Sequence, residues 1–110
     1  MTEDQIQAKF YKEAYNTFPQ IRGLLFSVPN GGSRNRIEAL KFQATGLTPG
    51  IPDMLLVAPQ VAAFEFKTET GQLSPAQLRI HIIWKNAGIP VYVCRSCDEA
   101  MGVLRKILLP

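Results

Sequence analysis

Two carboxylates and a lysine carry the first chemical signal in this chain. Asp53 follows Pro52, and Glu65-Phe66-Lys67 comes after it. On a strand, residues two apart leave the same face, so Glu65 and Lys67 project together. Asp53 opens the preceding strand, and a hairpin would bring it near Glu65. Two carboxylates converging from adjacent strands make a hard-oxygen site suited to Mg²⁺ or Mn²⁺. A lysine beside them can hold a water or a scissile phosphate and stabilise negative charge. The ion would orient and acidify the attacking water. Each half also has a plain explanation. Glu-x-Lys on an exposed strand face is usually a solvated ion pair, and Asp after Pro is an ordinary turn residue. Together, with apolar strands around them, they point to chemistry.

The elements that must position these residues read as one α/β domain spanning residues 1–110. Glu3 to Phe18 forms a helix on the spacing of Ile6, Phe10 and Ala14. Tyr11, Tyr15 and Phe18 broaden its apolar stripe. Thr2 is its N-cap and Pro19 its end. Leu24 to Val28 is a strand, and Pro29 to Ser33 a loop. Arg36 to Thr45 forms a short helix stopped by Gly46. Leu47 to Pro52 is irregular. Asp53 to Val57 is a strand whose apolar run suits cover on both faces. Val61 to Thr68 alternates, with Phe64 and Phe66 on one side and Ala63, Glu65 and Lys67 on the other. Ser74-Pro75 opens a helix that runs to Ala87, followed by a strand from Pro90 to Arg95. The strand–helix–strand step to Val93 fits a parallel crossover. A last helix runs from Asp98 to Leu109, with Met101, Leu104, Ile107 and Leu108 in one stripe.

Composition narrows the class. The apolar share is 46% and the charged share 19%, which describes a globular chain. The net charge of +3 permits a nucleic-acid partner without requiring one. No apolar run is long enough to span a membrane. The start, MTEDQIQAKF, is acidic and polar, unlike a signal peptide. Two cysteines, Cys94 and Cys97, make no disulfide framework, so a cytoplasmic protein is expected.

An ordered set of short strings frames the acids. Pro29-Asn30-Gly31-Gly32-Ser33-Arg34 is followed by Ala44-Thr45-Gly46-Leu47-Thr48-Pro49-Gly50-Ile51-Pro52-Asp53. Phe64-Glu65-Phe66-Lys67-Thr68-Glu69, Gly71-Gln72-Leu73-Ser74 and Gln77 come next. From Glu3 to the last strand the sequence resembles the virus-type replication-repair nuclease (VRR-NUC) domain, a branch of the PD-(D/E)xK nuclease superfamily. The resemblance implies a restriction-endonuclease-like core, with a mixed central sheet flanked by helices. It implies a divalent metal, Mg²⁺ or Mn²⁺, no small-molecule cofactor, and phosphodiester hydrolysis. By motif position Asp53 and Glu65 are metal ligands, the carbonyl of Phe66 completes the metal shell, and Lys67 is the catalytic lysine. Gln77 matches the glutamine after the ExK strand. Glu3 matches the acid of the first helix, favoured over Asp4 and Glu13 by its spacing to Gln7. The small size resembles the stand-alone members of phages and bacteria, which implies a homodimer in the cytoplasm acting on branched DNA, four-way junctions included.

The remaining residues have competing readings. Gln77 is also position N3 of a capping box opened by Ser74. A helix N-terminus near the site would favour phosphate, which supports a functional role. Asn30, Gly31, Gly32 and Arg34 form a polar loop able to cradle a DNA phosphate, and Arg36 and Lys41 extend a basic track. His81 shares a helix face with Gln77 at i+4, but among Ile80, Ile82 and Ile83 it reads as a packing or surface residue. Trp84 reads as core. Tyr11 and Tyr15 could stack bases, though core or dimer packing is the favoured reading. The lone Cys94-x-x-Cys97 lacks the second ligand pair a zinc site needs. Three rivals to a DNA nuclease stand: a non-catalytic nucleic-acid-binding module on the same fold, a redox protein using the two thiols, and a restriction-like enzyme cutting a fixed sequence.

Overall fold

The computed structural model describes residues 1–29, 40–41 and 44–110. Helix α1 runs Glu3–Thr17, capped by Thr2. The Thr2 hydroxyl accepts from the Gln5 amide and the Gln5 side chain accepts from Thr2 in return. A single 3₁₀ turn, Pro19–Ile21, carries the chain to strand β1, Leu25–Ser27. Of the short helix expected over 36–45, the described residues Leu40, Lys41 and Ala44 are helical. Strand β2 is Met54–Leu56 and β3 is Ala62–Phe66. Helix α2, Pro75–Asn86, leads to β4, Val91–Cys94, and then to α3, Cys97–Leu108. The last helix begins one residue earlier than its spacing suggests. Ser96 is the N-cap, accepting from the Glu99 amide at 3.0 Å, so Cys97 becomes the first helical residue.

The four strands form one sheet in the order β1-β2-β3-β4. The first two pairings are antiparallel and β3 pairs parallel with β4 across α2. This is the mixed sheet expected. One face is closed by α1, whose Ile6, Phe10 and Ala14 are buried as the helical spacing requires. The Phe10 ring lies 5.1 Å from that of Phe64 and 5.6 Å from that of Phe66. From α3, Ala100, Met101 and Leu104 complete this core.

Three readings of the sequence change. The plain explanation of Glu65-x-Lys67 as a solvated ion pair on an exposed strand face does not hold, because every residue from Ala62 to Phe66 is buried. An interior strand of a sheet covered on both sides has no wet face, whatever its side-chain polarity. Tyr11 and Tyr15 are not core: they are 40% and 42% exposed. They lie on the flank of α1 beside Ile21, Arg22 and Leu25. In α2 no residue is fully buried, and Trp84 is only half-buried.

Candidate active site

Strand register brings the two acids together. Met54 lies opposite Phe64, so Asp53, one residue before the strand, stands across from Glu65. The Asp53 carbonyl accepts from the Val28 amide at 2.8 Å. Its Oδ2 accepts from the Phe66 amide at 2.7 Å, replacing the next ladder partner where β2 ends. Phe66, whose carbonyl is expected to complete a metal shell, is thereby tied directly to the first acid.

Glu65 is 1% exposed. On the face opposite Phe64 and Phe66, α2 closes over it with two side chains. Gln77 Nε2 donates to Glu65 Oε2 at 3.3 Å, and His81 Nε2 lies 3.1 Å from Oε1. Burial, reinforced by a hydrogen bond to the Asp53 carboxyl and by its charge, pushes the Glu65 carboxyl up to about 9. Burial holds His81 below its ordinary range. At neutral pH the contact therefore joins a neutral ring to a protonated carboxyl and is a hydrogen bond rather than an ion pair.

This arrangement predicts the pH dependence of the metal-free protein. In the unfolded chain Glu65 ionises near 4.5; in the fold it keeps its proton to about 9. Between those values the native state holds the additional proton, so stability is full below the window and falls as pH rises through it. Urea midpoints measured at about pH 5 and about pH 8.5 should drop for the wild type relative to Glu65→Gln, which has no charge to suppress. Parallel pH profiles for the two proteins would contradict the assignment.

Gln77 makes the capping bonds expected of it and also contacts Glu65. Its Oε1 accepts from the Ser74 amide at 2.9 Å while its Nε2 reaches Glu65, so the helix cap fixes the amide that contacts the acid. Gly50 sets how closely the preceding loop approaches this cap. Its φ is +89°, and a Cβ there would lie 2.4 Å from the Ala76 carbonyl oxygen.

Lys67 sits just beyond β3 and is 7% exposed. Its Nζ lies 3.9 Å from Glu3 Oε2, so the acid at the start of α1 reaches the lysine. The rivals of Glu3 lie elsewhere. Asp4 lines a cleft with Gln7, and Glu13 accepts from the Cys97 thiol at 3.1 Å. After Lys67 the chain turns under Arg95, whose Nη1 donates to the carbonyls of Thr68 at 2.8 Å and Gly71 at 2.7 Å. Sequence reasoning missed Arg95, because no local pattern links it to a turn so distant in the chain. It also undervalued His81, for which the i+4 spacing to Gln77 was the available signal.

Other expected residues stand apart. Asn30, Gly31, Gly32, Arg34 and Arg36 lie outside the described residues. Lys41 is exposed, and its carbonyl accepts from the Thr45 amide. The thiols are buried and free, and burial pushes Cys94 up to about 12 and Cys97 up to about 11. Thiols so protonated are poor nucleophiles. Folded protein should resist iodoacetamide at neutral pH and react only when denatured; prompt labelling of the folded form would revive the redox reading.

Among the described residues no three His, Cys, Asp or Glu side chains group as a metal cluster. The donor set that does converge is two carboxylates, of Asp53 and Glu65. That small hard-oxygen set suits Mg²⁺ or Mn²⁺, which are commonly held by one or two carboxylates with water and substrate phosphate filling the remaining positions. A cation there would also relieve the contact between the two acids.

The fold and the site define a mixed α/β domain with paired acids and a buried lysine at the ends of two adjacent strands. The family model of the VRR-NUC domain matches residues 2–98. A solved VRR-NUC domain protein matches with a TM-score of 0.82 at 20% identity, over 98% of this chain and 88% of that one. No curated protein matches the sequence. The chain belongs to the VRR-NUC domain family, a family of nuclease domains.

Proposed function

We propose that this chain is a divalent-metal-dependent endonuclease that hydrolyses phosphodiester bonds in DNA. The observation that carries the reading is the strand register that sets Asp53 across from the buried Glu65, with Lys67 leaving the same face of β3. Asp53, Glu65 and the Phe66 carbonyl would hold Mg²⁺ or Mn²⁺, which when bound would supply an acidified water and neutralise charge at phosphorus. The protein does the rest by positioning. Gln77 and His81 fix the orientation of the Glu65 carboxyl. Glu3 holds the Lys67 ammonium, which stabilises negative charge on the scissile phosphate. Asn30, Gly31, Gly32 and Arg34, with the cations Arg36 and Lys41, bind DNA phosphates.

The substrate in this reading is branched DNA, four-way junctions foremost. A homodimer in the cytoplasm would present two sites related by a two-fold, and so cut two strands symmetrically. Among the described residues no helix is long and apolar enough to cross a membrane.

The test uses labelled four-way, flap and linear duplex DNA with Mg²⁺, Mn²⁺ or EDTA. Wild type should cut with either metal, prefer the junction, and fail in EDTA. Lys67→Met should cut about 10²- to 10³-fold more slowly, the usual cost of removing one stabilising donor. Binding with no cutting in any metal would replace the enzyme with a non-catalytic module. Light scattering that gives only monomer would overturn the dimer.

A further inference from the structure

A cleft of about 680 Å³ lies between α1 and β1 and opens at Asp53. Its walls carry two aromatic rings, Tyr11 and Phe26, which are 40% and 39% exposed. Gln7, Ser27 and Asp4 supply polar edges, and Gln7 Nε2 donates to Ser27 Oγ at 3.3 Å. The aromatic surface does not stop at the cleft. The Tyr11 ring is 6.0 Å from that of Tyr15, which is 42% exposed. The Arg22 guanidinium lies 4.1 Å above the Tyr15 ring, fixed there because Arg22 Nε donates to the Tyr15 carbonyl at 2.9 Å.

Exposed rings in a row are costly on a surface that only meets water, and three of them with a stacked guanidinium need a partner. The chemistry of the row selects one. Flat π faces accept nucleobases irrespective of sequence, and a guanidinium held in place accepts phosphate. A duplex keeps its bases stacked on one another and offers no free faces. An unpaired strand does. We infer that Phe26, Tyr11, Tyr15 and Arg22 form a stacking track for unpaired DNA, which leads a single strand along α1 into the cleft at Asp53. The polar edges of Gln7, Ser27 and Asp4 meet the base that enters the cleft, and Arg22 takes the phosphate at the outer end. This rests on the proposed nuclease reading and specifies the substrate element beside the cut.

Binding in EDTA tests the track apart from catalysis. Fluorescence anisotropy is measured at one fixed salt concentration with labelled oligo-dT of about 15 nucleotides and with a blunt duplex of equal length. Tyr11→Ala/Tyr15→Ala should weaken oligo-dT binding at least about ten-fold and leave duplex binding within about two-fold. Tyr11→Phe/Tyr15→Phe keeps the rings and should bind as wild type does. Equal loss on both DNAs, or no loss on either, would overturn the track. So would conversion of a dimer to a monomer by the alanine pair in light scattering, because the rings would then belong to a subunit interface. A protein that never cuts DNA but shows the selective loss would keep the track and lose the nuclease reading.

Discussion

Asp53→Asn should lower metal-dependent cleavage by about 10³-fold or more and yet make the metal-free protein more stable at mildly alkaline pH. The two effects have one cause. The Asp53 carboxylate faces Glu65, a carboxyl that burial already keeps from ionising. Removing one negative charge removes the repulsion that ionisation of Glu65 would meet. Asn keeps an oxygen for the Phe66 amide, so the end of the β2–β3 ladder survives. What Asn cannot supply is the second anionic donor for a divalent ion. Added Mg²⁺ should therefore raise the thermal midpoint of the wild type, by binding the native state alone, and leave the variant where it was. A variant that loses activity through unfolding would show a lower midpoint without metal. A variant still stabilised by Mg²⁺ would move the metal away from Asp53.

Gly50→Ala should be the most disruptive alanine substitution among the described glycines. At φ +89° an L side chain is strained, and the added carbon would stand 2.4 Å from the Ala76 carbonyl oxygen and 2.9 Å from the Gln77 nitrogen. Both obstacles are backbone at the first turn of α2, so neither can swing aside. The loop or the helix end must shift, at about 2–4 kcal/mol including the conformational strain. Gln77 moves with that helix end and loses its place on Glu65, so cleavage should fall as well. Gly23→Ala is the control. Its φ is +82°, but a Cβ there meets nothing within 4 Å among the described residues. Only the conformational cost of about 1 kcal/mol applies. Urea denaturation of both variants measures the difference; equal losses would mean that the approach of the loop to α2 contributes nothing.

Much of this protein is readable from residue order alone. The spacing of Ile6, Phe10 and Ala14 identifies the buried row of α1, and Thr2 marks its start. Ser74-Pro75 marks the start of α2 with its capping glutamine. The strings around Asp53, Glu65 and Lys67 carry the family and the candidate acids, because the residue types a metal site needs and their offsets along a strand are local properties of the chain. Local order leaves other things open. It assigned β3 an alternating face, and the neighbours on both sides decided that Glu65 is buried. The angle between Tyr11 and the Ile6–Phe10–Ala14 row follows from helical geometry, but whether that arc is covered depends on where the sheet ends. His81 is four residues from Gln77 in any helix, while its place on Glu65 depends on how α2 lies across β3. Arg95 reaches Thr68 and Gly71 only because β3 and β4 run side by side. Periodicity and capping act over a few residues, so the chain order determines them directly. Burial, desolvation and the shifted acid of Glu65 are sums over groups distant in sequence, and those sums exist only once the sheet and its helices have closed.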